Sequence, residues 1–251
     1  MKLLAIDSSG LTASVAILED GILLAEYTVN YKKTHSQTLL PMLDTIVSMV
    51  ELDLKTIDAI AVAEGPGSFT GLRIGSATAK GLGLALDKPL VAVPTLEGLA
   101  YNLYGALGLV CPMMDARRSQ VYTGIYRFDR GSLQRIWTQR AVAVEELAEE
   151  LNRLGDPVIL LGDGAAAYRE KMADLLQVEY REAPAHMNRQ RAASVGALAM
   201  EMYARGQIQT AALHRPEYLR LSQAERERME RMKEAQAREN GADEREAGQR
   251  G

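Results

Sequence analysis

Glu64-Gly-Pro-Gly-Ser-Phe-Thr-Gly-Leu-Arg-Ile-Gly75 follows an apolar run, Ile57 to Ala63, and opens a long helix of unusually small residues. Glycines and a proline at a strand-to-helix turn suit a phosphate cradle, because a helix N-terminus offers free amide donors and a positive dipole end. The spacing excludes the common cradles. A P-loop requires G-x-x-x-x-G-K-[ST]; counted from Gly65, its second glycine falls on Thr70 and its lysine on Gly71. The dinucleotide fingerprint G-x-G-x-x-G fails at Thr70 as well. What is left is a helix start with Ser68 as its N-cap and a weak affinity for anions.

Gly71, Gly75, Ala79 and Gly83 recur every four residues along that helix and form one row. Each interior glycine costs about 1 kcal/mol against alanine, so the row needs a compensating close approach. Two readings fit: packing on the chain's own sheet, or contact with a helix of this chain or of a partner. The segment is not a membrane span, since Arg73, Lys80 and Asp87 interrupt it and roughly 20 apolar residues would be needed.

At 251 residues and 47% hydrophobic, the chain can bury a sizeable core. Its formal charge of −4 makes it a poor candidate for gripping nucleic acid alone. Cys111 is the single cysteine, so neither an intrachain disulfide nor a cysteine metal cluster is expected, which fits a reducing cytoplasm. Met1-Lys2 leads straight into an apolar run, and no secretory signal is expected.

Leu3 to Ile6, Ala13 to Leu18 and Ile22 to Val29 read as strands, with Asp20-Gly21 as a hairpin turn. Ser36 to Val50 reads as a helix with Pro41 in its first turn. The strand Ile57 to Ala63, a helix from Ser68 to about Leu86 and the strand Leu90 to Val93 complete an α/β unit with a mixed sheet. A second unit follows: strands Leu109 to Met113, Val121 to Phe128, Gln134 to Gln139 and Val158 to Leu161, with helices Val144 to Leu154, Tyr168 to Leu176 and Ala193 to Arg205. Each unit opens with a strand and an Asp-containing loop, Ile6-Asp7-Ser8-Ser9 and Met114-Asp115-Ala116-Arg117, which suggests duplication. After Leu221 the chain is almost wholly charged or helix-forming; Gln223 to Glu239 reads as a frayed helix running into disorder, with a partner-docking helix as the other reading.

The order of strands, loops and lobes resembles the actin/hexokinase/Hsp70-type (ASKHA) ATPase fold. A closer resemblance lies in Met1-Lys-Leu-Leu-Ala-Ile-Asp-Ser-Ser, His35-Ser-Gln-Thr-Leu-Leu-Pro41, the Gly65 to Gly75 segment and Pro94-Thr-Leu-Glu-Gly98. These resemble the bacterial TsaB (YeaZ) family from Met1 to about Gly105, and more loosely through Met114 to Arg118 and Val121-Tyr122. The resemblance implies a two-lobed α/β ASKHA fold: an N-terminal lobe over 1–104, a C-terminal lobe over 105–221 and a charged tail over 222–251.

The same resemblance implies a role in forming threonylcarbamoyl-adenosine beside the tRNA anticodon. In that pathway a separate enzyme makes threonylcarbamoyl-adenylate, the paralogue TsaD transfers the group, TsaB pairs with TsaD, and the ATPase TsaE joins them. Transfer RNA is met only through the complex, and no membrane is involved. Family members pair through two N-lobe helices in a four-helix bundle, here Ser36 to Val50 and Ser68 to Leu86. That assigns Leu39, Leu43, Ile46 and Val47 of the first helix to the interface, with Phe69, Gly71, Leu72 and Gly75 of the second. Ser76, Ala79, Lys80 and Gly83 complete the set. The same surface allows a homodimer when TsaD is absent, and a nucleotide at the TsaB–TsaD seam is left open.

TsaD-like members bind their metal through H-x-x-x-H; the equivalent place here reads Thr95-Leu-Glu-Gly-Leu99, and His35, His186 and His214 offer no such pair. Met114-Asp-Ala-Arg-Arg118 has no glycine where the fold's second phosphate loop would sit. Asp7, Ser8, Ser9 and Ser68 are weak cofactor-site candidates. Asp7 is read as a loop-ordering residue ahead of a metal-water ligand, and His35 as a structural histidine ahead of a partner contact. Arg117 and Arg118 suit either solvent, tRNA phosphate or a partner carboxylate. The reading is a pseudo-enzyme without catalytic residues, metal or firmly bound cofactor; the alternative is a metal-dependent glycoprotease-like peptidase or an ATPase of the same fold.

Overall fold

Alternation along Lys2–Asp7 (β1) sends Leu4 and Ile6 to one face of a sheet and Leu3 and Ala5 to the other. Both faces are therefore covered. The computed structural model describes residues 1–31 and 34–220, and residues 1–219 form one unit. β1 is followed by β2 (Ala13–Glu19), β3 (Ile22–Val29), α1 (His35–Met49), β4 (Ala59–Gly65), α2 (Phe69–Leu86), β5 (Leu90–Pro94) and α3 (Thr95–Ala100). Then come β6 (Leu109–Asp115), β7 (Gln120–Asp129), β8 (Ser132–Ala143), α4 (Val144–Leu154) and β9 (Val158–Leu161). The last elements are α5 (Asp163–Ala167), α6 (Arg169–Leu175), β10 (Tyr180–Glu182) and α7 (Ala192–Ala204).

The two five-stranded sheets run β3-β2-β1-β4-β5 and β8-β7-β6-β9-β10. In each, the first three strands in sequence are antiparallel neighbours and the last two add in parallel. The second lobe thus repeats the first strand for strand. Asp20 and Gly21 both take positive φ, 48° and 81°, as the tight hairpin requires.

One face of the first sheet carries α1 and α2. Helix α1 turns Leu39, Met42, Leu43 and Ile46 inward at helical spacing. It begins at His35, so Pro41 lies in its second turn and not its first, and deprives the carbonyl of Gln37 of its amide partner. The opposite face carries α7, whose Ala192, Val195, Leu198 and Ala199 join the cluster around Leu3, Ala5 and Val93. The chain therefore returns to the first lobe after building the second, a crossing that the sequential division at 105–221 does not contain. Helix α3 lies between the sheets, with Leu96, Leu99 and Ala100 packed against Val110, Tyr126 and Leu161.

Among the described residues no helix is long and apolar enough to cross a membrane. Cys111 is free and fully buried. The charged run Gln223 to Glu239 lies outside the described residues.

Candidate functional site

The β1–β2 turn, residues 8–12, is locked against the start of α2. Asp7 ends β1 with 1% of its surface exposed. Its Oδ1 accepts from the Ser9 amide at 2.9 Å and from Ser9 Oγ at 2.6 Å. Burial pushes its carboxyl up to about 6, against the Ser9 hydrogen bonds and the nearby His35. Ser8 Oγ donates to the Gly71 carbonyl at 2.9 Å, and the Ser68 amide donates to the Ser9 carbonyl at 2.7 Å. Ser68 is the N-cap, its Oγ accepting from the Gly71 amide at 3.3 Å. His35 Nε2 reaches the Gly10 carbonyl at 2.8 Å and fastens the first turn of α1 to the same loop. The helix start that could have faced a phosphate faces the chain's own carbonyl.

The small-residue row follows from this lock. A Cβ on Gly71 would stand 2.1 Å from the Ser8 carbonyl oxygen, and one on Gly75 2.4 Å from Ser8 Oγ. Ala79 is fully buried in the core, and a Cβ on Gly83 would meet Ala211 at 2.9 Å. The row packs inside the chain. Leu39, Leu43, Ile46, Leu72 and Ser76 are buried with it, none more than 5% exposed. Assigning these positions to a partner-facing surface is corrected accordingly: spacing defines a row, not the direction it faces. Of the remaining three, Val47 is half-buried, Phe69 stacks on Tyr218, and Lys80 Nζ donates to the carbonyls of Ala212 and His214.

The outward side of the two helices is different. Arg73, Ala77, Gly81 and Ala85 are all exposed and also recur every four residues. Leu84 is 64% exposed beside them, and Leu40 and Met49 of α1 are 54% and 78% exposed. A Cβ on Gly81 would meet nothing within 4 Å. Among the described residues nothing packs closely enough on this position to require a glycine.

Sequence reasoning missed a strap, residues 209–218, that runs along α2. Gln209 bridges Leu90 at the edge of β5, and Ala211 enters the core. The Glu217 amide donates to the Glu64 carbonyl at 2.7 Å, and Gln139 Nε2 of β8 reaches the Glu217 carboxylate. Gly65 seats it: its φ is +128°, and a Cβ there would lie 2.1 Å from the Glu217 carbonyl oxygen. No local spacing announces a contact between residues so far apart in sequence.

Behind the strap, Glu97 of α3 is buried and takes a two-pronged ion pair from Arg135 of β8, at 2.5 and 2.8 Å. The Thr95–Leu99 stretch is thus a lobe-to-lobe tie, with Thr95 Oγ1 also accepting from the Gly65 amide at 3.0 Å. Among the described residues no group of three or more His, Cys, Asp or Glu is placed to hold a metal ion. Burial, then Glu217 and Glu97, push the Glu64 carboxyl from 4.5 up to about 7. Folding with the strap in place therefore takes up a proton at Glu64, and stability falls as pH rises from about 4.5 through about 7. Glu64→Gln removes this dependence: corrected amide exchange of residues 209–218 rises between about pH 5, near the lower end of that range, and about pH 8, above it, in the native chain and stays flat in the variant.

In the second lobe, Arg117, Arg118 and Ser119 follow Asp115 with φ of 62°, 54° and 56°. Asp115 Oδ1 holds the turn by accepting from the Arg117 amide at 2.7 Å and from Tyr168 Oη at 2.8 Å. Both arginines are exposed at its tip. This loop is the counterpart of the Asp7 turn in the repeat, and it too is closed on itself by its own aspartate.

The family model described as TsaD: tRNA N6-adenosine threonylcarbamoyltransferase matches residues 23–228. The tRNA threonylcarbamoyladenosine biosynthesis protein TsaB of Bacillus subtilis (strain 168) is 35% identical over 235 residues, covering 93% of this chain and 100% of that protein. Its namesake in Escherichia coli (strain K12) is 33% identical over 174 residues, 67% of this chain and 74% of that one. The solved structure of YeaZ from Pseudomonas aeruginosa superposes with a TM-score of 0.76 at 31% identity, covering 87% of this chain and 99% of that one. On its duplicated two-lobed α/β scaffold and on these matches, the chain belongs to the TsaB (YeaZ) family, homologous to TsaD.

Proposed function

We propose that this chain is a non-catalytic subunit that pairs with a TsaD-type threonylcarbamoyltransferase through the outward faces of α1 and α2, and so serves the threonylcarbamoyl modification of tRNA. Family membership supplies the pathway. Gly81 carries the choice of face. An exposed glycine inside a helix costs about 1 kcal/mol against alanine, and here no neighbour among the described residues needs the space. Close approach of a partner helix does. Leu84 on α2, and Leu40 and Met49 on α1, add exposed apolar side chains to the two helices.

The non-catalytic reading rests on what the motifs are doing. The Asp7 carboxylate and the Ser68 amide are both engaged in fixing the β1–β2 turn. Ser8 and Ser9 are spent on the same lock. A TsaE-type ATPase joins the pair, tRNA is contacted only through the assembly, and a homodimer on the same face forms when the TsaD-type subunit is absent. Any nucleotide belongs to the seam between subunits.

Reconstitution tests this. A TsaD-type subunit, a TsaE-type ATPase and the adenylate-forming enzyme modify tRNA poorly until this chain is added. Asp7→Ala, provided it folds, leaves this chain without any ATP hydrolysis or peptidase activity to lose. Saturable turnover by the isolated chain, abolished in that variant, would contradict the proposal.

A further inference from the structure

Arg73 heads the outward row of α2, eight residues before Gly81, which places it about 12 Å along the helix axis. Its Cζ lies 4.0 Å from the centroid of the Phe69 ring, and its Nε donates to Tyr218 Oη at 3.4 Å. Phe69 and Tyr218 pack on each other with centroids 4.8 Å apart. Tyr218 in turn is held by the strap, through the Glu217 amide and the carbonyls that Lys80 secures. The guanidinium is therefore fixed by two aromatic rings. None of the ion pairs among the described residues includes it, and it is exposed.

A fixed, exposed guanidinium with no carboxylate partner among the described residues is a preorganised contact: its side-chain freedom is already restricted before binding. Resting on the pairing face proposed above, we infer that Arg73 is the charged anchor of that face and takes a carboxylate from the TsaD-type partner. The strap has a function under this inference, since it supplies the tyrosine that aims the anchor. A carboxylate is favoured over an RNA phosphate on two grounds. One planar fork matches one carboxylate, whereas backbone phosphates are gripped by several cations together. The cation that follows on α2, Lys80, is committed to the strap's carbonyls, and the chain carries a net charge of −4.

The test is calorimetric titration of the full chain with the TsaD-type subunit at low and high salt. Arg73→Ala weakens binding about tenfold or more, as loss of an interface anchor does, and flattens its salt dependence. Arg73→Lys recovers only part, because an ammonium lacks the fork. Tyr218→Phe weakens binding about fivefold, the range of one hydrogen bond, with an unchanged melting temperature for the free chain. The inference is overturned if native chain binds and Arg73→Ala binds equally well, or if Arg73→Ala impairs only tRNA retention by the assembled complex. Should native chain not bind at all, or Gly81→Phe bind as native does, the pairing face itself is wrong and the anchor falls with it.

Discussion

Gly71→Ala lowers the melting temperature of this chain by roughly 5–15 °C, the shift expected for overpacking that costs about 2–4 kcal/mol in a domain of this size. The new methyl would sit 2.1 Å from the Ser8 carbonyl oxygen, so backbone and not a flexible side chain must yield. Alanine's higher helix propensity offsets only about 1 kcal/mol of that. The damage spreads, because the displaced turn carries the Ser9 bonds to Asp7, the Ser68 amide bond and the His35 contact. Thermal unfolding followed by circular dichroism reads the result. An unchanged or raised melting temperature would mean that the β1–β2 turn does not rest on α2 as described.

Gly81 behaves in the opposite way. Gly81→Ala stabilises the free chain by about 0.5–1 kcal/mol, since the added methyl meets none of the described residues and helix propensity improves. Gly81→Phe also leaves the free chain folded but abolishes pairing. A ring at the centre of the outward row holds the partner helix away from Ala77 and Ala85, and close helix contact depends on small residues there. An interface that loses its central packing loses most of its affinity, about 2 kcal/mol or more from one such position. The two glycines thus separate stability from association, although both sit in rows of period four on one helix.

That pair also marks where the sequence is readable and where it is not. β1, β2 and β4 are legible because each is an apolar run bounded by turn residues, and the Asp20-Gly21 hairpin because it needs two positive φ values. The start of α2 at Ser68 is legible from capping chemistry. Direction is harder. The rows Gly71-Gly75-Ala79-Gly83 and Arg73-Ala77-Gly81-Ala85 share their spacing, and only the placement of Ser8 and Ala211 decides which one is inside. The strap is illegible for a related reason: Lys80 with His214, and Glu64 with Glu217, are joined by tertiary geometry and by no periodic signal. Asp7 stands at a strand end that suits a metal-bound water, and reads as loop-ordering only because Met114 to Arg118 has no glycine for a second phosphate loop; its two bonds to Ser9 are tertiary detail beyond that pattern. β10 escapes because its three residues are too few for any alternation to register.

Sizing the native chain and Gly81→Phe, each mixed with a TsaD-type subunit, tests most directly whether the outward face of α1 and α2 is built for a partner. One co-eluting species is expected for the native chain, and separate peaks for Gly81→Phe with a melting temperature no lower than native. Co-elution of the variant at native strength would place the partner elsewhere and leave Gly81 without the role assigned to it.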